Sequence, residues 1–98
     1  MKKIEDCARN ARMHGLNMKL MHISALNQET RKTHAERHGV LFTPEQARLF
    51  WSNRENQRNC RCSVTLVMVD EAGRTIIPEI TERARAAYEM YNKRYGFN

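Results

Sequence analysis

A β-branched run sets the fold class of this chain. Between Cys62 and Val69 stand Val64, Thr65, Val67 and Val69 in weak alternation, which predicts a strand. Asp70-Glu71-Ala72-Gly73 follows as a turn, and Arg74-Thr75-Ile76-Ile77 reads as a returning strand, so a β-hairpin is expected. The other patterned stretches are helical. The prediction is a small single α+β domain over residues 1–98: N-terminal helices, a β-hairpin after Cys62, then a C-terminal helix.

Over residues 2–22, Ile4, Cys7, Ala8, Ala11, Met18 and Met21 recur at helical spacings, with Gly15 placed to bend or split the helix. A second helix is expected over 28–38, closed by Gly39 in a left-handed cap and followed by the apolar Val40-Leu41-Phe42. Thr43-Pro44-Glu45-Gln46 is a helix start: Thr43 can cap, Pro44 suits the first position, and Gln46 completes a capping box. That helix carries Leu49, Phe50 and Trp51 and ends near Ser52, before a polar loop over 52–59. Pro78 opens the last helix, which runs to Tyr95 with Ile80, Ala84, Ala87, Tyr88 and Tyr91 as its apolar face.

The core of such a chain is thin. Of 98 residues 41% are hydrophobic but only 7% aromatic, so a metal, an oligomer or a larger parent chain would support the fold. The formal net charge of +6 favours acidic partners, DNA included, although the basic residues form no long run. Glu5, Asp6 and Arg9 interrupt the apolar segment a signal peptide needs after Met1-Lys2-Lys3, and no apolar run approaches a membrane span. A cytoplasmic protein with no membrane partner is expected. Three cysteines exclude a fully paired disulfide set within one chain, leaving thiols that are free, metal-bound or catalytic.

His34 and His38 lie four residues apart on a predicted helix, so both imidazoles face one side. Cys60 and Cys62 flank Arg61, and in an extended segment both thiols point the same way. Two nitrogens and two sulfurs make a tetrahedral zinc set, and zinc is the cofactor expected. The plainer alternatives are a His38 held by the helix dipole, a surface His34, and cysteines acting as small buried hydrophobes.

Two blocks carry a family resemblance. Leu26-Asn27-Gln28-Glu29-Thr30-Arg31-Lys32-Thr33-His34, continued by Gly39-Val40-Leu41-Phe42, is similar to the first block of the C-terminal module of phage Mu F-like head-morphogenesis (minor head) proteins. Asn59-Cys60-Arg61-Cys62-Ser63-Val64 resembles its closing block, in the same order and at the same separation. The similarity covers 26–73, with 78–95 as an added helix. Asn27, Gln28 and Glu29 stand where the family commonly has an aspartate. The resemblance implies a phage or prophage minor capsid module. It would act by protein–protein contact with portal, capsid or scaffold proteins, in the host cytoplasm or the virion.

The alternative is a small zinc-stabilised nucleic-acid-binding protein. Arg61, Arg83, Arg85, Lys93 and Arg94 are the candidate contacts to phosphate or to an acidic partner, with Tyr88, Tyr91 and Tyr95 able to stack on bases or, more simply, to pack. A Cys- or Zn-dependent hydrolase is the third reading. It lacks an orienting third group, and Glu36 in His-Ala-Glu-Arg-His is one place late for a His-Glu-x-x-His helix. No catalytic residue is assigned.

Overall fold

Gly15 does more than bend the N-terminal helix: it ends it. In the computed structural model, which describes residues 2–15, 17–27, 29–57 and 62–95, α1 (Lys2–His14) stops where Gly15 takes φ +62°. Past it, Met18–Ile23 is a strand, β1, and not the helical continuation expected to residue 22. Leu20 and His22 are buried on one face of β1 and Met21 on the other. A strand covered on both faces loses its alternation, and Met-Lys-Leu-Met-His-Ile then fits a helical spacing equally well.

The second expected helix shortens to one turn, α2 (Lys32–Ala35). Arg31 before it is extended and makes no side-chain cap, so nothing starts the helix earlier. Beyond Ala35 the chain continues in turns to Gly39, whose φ is +80°. The Gly39 N–H donates to the His22 carbonyl at 2.9 Å, and the His22 N–H donates to the Val40 carbonyl at 3.1 Å. These bonds lead into β2 (Leu41–Phe42). The capping box is present: Thr43 Oγ accepts from the Gln46 N–H at 3.2 Å while Gln46 Oε1 accepts from the Thr43 N–H at 2.9 Å. It starts α3 (Pro44–Ser52). The polar stretch after it holds a further short helix, α4 (Arg54–Gln57).

β3 (Ser63–Met68) forms where the β-branched run lies, but its main partner is β1. The antiparallel sheet has the order β2-β1-β3, with Leu20 opposite both Phe42 and Leu66 and His22 opposite Val64. The expected hairpin return is reduced to a bridge between Val69 and Thr75, framed by bonds from the Asp70 N–H to the Arg74 carbonyl at 2.8 Å and from the Ile76 N–H to the Met68 carbonyl at 3.2 Å. Thr75 Oγ captures the Ile77 N–H at 3.1 Å, and Pro78 has no N–H to offer a ladder. The chain turns there into α5 (Pro78–Tyr95).

Two clusters make the core. Ile4, Cys7, Leu20, Ala47, Trp51 and Val64 pack α1 and α3 onto one sheet face, with Met18, Phe50, Cys62 and Leu66 around them. Ala35, Tyr88 and Tyr91, joined by Leu26 and Tyr95, dock α5 on the α2 segment. On α5, Tyr88 and Tyr91 are buried as expected, whereas Ile80 is 38% exposed and Ala87 also faces solvent. The chain is thus one small α+β domain. Among the described residues no helix is long and apolar enough to cross a membrane.

Candidate metal centre

α2 carries His34 inward, to 1% exposure, between Phe50 and Trp51. Cys62 stands just before β3, half-buried against the main core. The two come together: His34 Nδ1 lies 3.6 Å from Cys62 Sγ. One nitrogen and one sulfur donor at that distance suit a borderline-soft ion.

Burial, followed by the nearby Arg31, holds His34 below its ordinary pKa, against a side-chain hydrogen bond with Asn56 that raises it. A neutral imidazole keeps a lone pair available at neutral pH, as ligation requires. Arg37 sits beside the pair, its guanidinium 3.9 Å from the Phe42 ring centre and 3.6 Å from that of Phe50. Burial lowers the Arg37 pKa, and the nearby Cys62 acts to raise it.

His38 goes elsewhere. Its Nδ1 accepts the Ser24 N–H at 3.0 Å, which leaves the proton of the neutral ring on Nε2. It anchors the chain leaving β1 instead of joining His34 and Cys62. Among the described residues, no three His, Cys, Asp or Glu side chains gather as a ready metal set. Cys60 and Arg61 lie outside the described residues. Glu36 is exposed.

The basic residues of α5 divide. Arg83, Lys93 and Arg94 are exposed. Arg85 is structural: its Nη1 donates to the Glu36 and His38 carbonyls at 2.8 and 2.9 Å, and its guanidinium lies over Tyr88. Tyr88 and Tyr91 are packed, and the Tyr91 hydroxyl donates to the Asn27 carbonyl at 2.9 Å, so neither offers a face to a base.

Sequence reasoning missed His22. It is 1% exposed on β1, T-shaped to His34 with ring centroids 6.4 Å apart, and parallel to Trp51. Its place beside Leu20 at a spacing of two would have exposed it once Met18–Ile23 was read as a strand. Comparison with protein-family models, curated proteins and solved structures gives no match.

Proposed function

We propose that this chain is a zinc-braced structural module of the head-morphogenesis kind, acting by protein–protein contact in phage or prophage capsid assembly. The carrying observation is the 3.6 Å between His34 Nδ1 and Cys62 Sγ. Donors bound to one tetrahedral zinc, with Zn–N about 2.0–2.1 Å and Zn–S about 2.3 Å, stand about 3.6 Å apart. The pair also joins the two blocks of the resemblance at one point, tying the α2 segment, and α5 docked on it, to the foot of β3. Cys60 is the further ligand the sequence suggests. Zinc would have a structural task here, adding on the order of 10 kcal/mol to a thin core.

Exposed apolar side chains support a contact role. Leu49 and Met90 are 76% and 73% exposed, and Met68, Ile76, Ile77 and Ile80 lie exposed around the turn into α5. The partners proposed are portal, capsid or scaffold proteins, met in the host cytoplasm or the virion.

Two measurements test the reading. Untagged protein should carry close to one equivalent of zinc, and less than about a tenth of an equivalent would refute the brace. The chain should co-purify with portal or scaffold proteins of the phage or prophage that encodes it, and failure to associate with any of them would refute the head-module role. A second reading, nucleic-acid binding, keeps the support of exposed Arg83, Lys93 and Arg94. It requires an affinity that drops steeply as salt rises.

A further inference from the structure

His22 occupies an uncomfortable position for a structural histidine. It is 1% exposed, and neither Nδ1 nor Nε2 has a hydrogen-bond partner among the described residues. A buried imidazole normally gives its N–H to a carbonyl or carboxylate and accepts at the other nitrogen. The rings and the cation around it do not supply such partners. Trp51 lies parallel to it at 5.6 Å, so the indole N–H runs alongside the imidazole plane and not into it. Phe50 meets it edge-on at 5.7 Å and offers no polar atom. Arg37 repels a proton on His22 and supplies no acceptor.

What His22 does meet is His34, whose Nδ1 lies 3.6 Å from Cys62 Sγ. His22 is cross-strand partner to Val64, and Cys62, two residues before Val64, packs against the same core cluster. Residues two apart along a strand share a face, which sets Cys62, one residue before β3, on the side of the sheet that carries His22. The His22 and His34 rings stand edge to face with centroids 6.4 Å apart. Two imidazoles on one tetrahedral zinc hold their centroids about 5–5.5 Å apart. The rings would have to draw together by about 1 Å for both to reach one ion, since the described residues do not already gather as a set of three.

We propose that His22 is a zinc ligand, completing a trio with His34 and Cys62. The inference rests on the metal reading above and goes beyond it, because it places a ligand on β1 and excludes His38. The trio draws one donor each from the central strand, the α2 turn and the foot of β3. Binding would give one of the two orphaned His22 nitrogens a partner. The parallel indole of Trp51 would hold the ring in place.

Cobalt(II), which takes the same tetrahedral geometry as zinc and is coloured, is the probe. Titrated into the full chain, it should give intense tetrahedral d–d bands and a thiolate charge-transfer band. His34→Gln and Cys62→Ser should abolish them. His22→Gln should weaken binding more than about tenfold, while His38→Gln leaves affinity and spectrum unchanged. Binding in the wild type with His22→Gln indistinguishable from it would overturn the His22 assignment alone. No binding of cobalt or zinc by the wild type would overturn the metal centre itself. The wild type gives a readout independent of folding in the variants: zinc should shift one His22 imidazole 15N resonance and leave those of His38 in place. An unmoved His22 signal in zinc-loaded protein would also sink the assignment.

Discussion

The imidazole of His22 lies parallel to the indole of Trp51, with their centroids 5.6 Å apart and both side chains buried. Burial first, then Arg37, His34 and His38, push the His22 pKa down from 6.5 to about 3. The unfolded chain therefore binds more protons than the folded one between those values. Stability must fall as pH falls through that window and level off below about pH 3. At pH 5 the His22 contribution alone is ~2 kcal/mol, and His34 and His38, both lowered by burial, act in the same direction. Urea midpoints of chelator-treated protein should drop between about pH 7.5 and 5, and His22→Gln should flatten that dependence.

Gly39 and Gly15 both adopt positive φ, yet their surroundings differ. A Cβ on Gly39 would come within 2.7 Å of Ala84 Cβ and 3.1 Å of the Arg85 backbone nitrogen, while one on Gly15 meets nothing within 4 Å. Gly15→Ala should cost ~1 kcal/mol from backbone strain alone, and Gly39→Ala ~3 kcal/mol because α5 must also move. Equal losses in chemical denaturation would contradict this docking of α5.

Arg85 and Arg83 separate structural from available charge on one helix. Removing Arg85 leaves two carbonyls without their donor, so Arg85→Ala should lose ~2 kcal/mol by thermal or urea melting. Arg83→Ala should stay within about 0.5 kcal/mol and, if nucleic acid is bound, should reduce the salt dependence of binding.

The capping box at Thr43 offers a local test. Thr43→Ala removes the acceptor for the Gln46 N–H and should destabilise the fold by about 1 kcal/mol, whereas Thr43→Ser should retain most of it. A loss no larger for alanine than for serine would show that α3 is held by Trp51 and Ala47 packing alone.

Much of this architecture was readable residue by residue. Thr43, Pro44 and Gln46 mark α3, Pro78 marks α5, and Val64 to Val69 mark β3, because caps, proline and β-branching act locally. β1 was hidden, since covering both faces erased its alternation, and the turn Lys32–Ala35 lacked a cap that could bound it. The candidate site was half legible. The spacings of His34 with His38 and of Cys60 with Cys62 pointed to a shared ion, and of these residues the structure brings His34 and Cys62 within 3.6 Å. His38 shares the helical spacing only if the helix continues past Ala35; it does not, and the ring turns to the Ser24 N–H. His22 was hidden together with β1: its burial beside Leu20 shows only once Met18–Ile23 is read as a strand, and its pairing with Val64, 42 residues away, is written in no local pattern.

The placement of β1 between β2 and β3 has a consequence for how the chain emerges from a ribosome. β2 follows it closely, but the other edge stays open until Ser63–Met68 has left the exit tunnel. During that interval Leu20, Met21 and His22 present a largely apolar strand with unpaired backbone groups to solvent. Slow translation between Phe42 and Met68 would lengthen that exposure, so conditions that stall synthesis there should raise the aggregated fraction before any change in the finished protein's stability is felt.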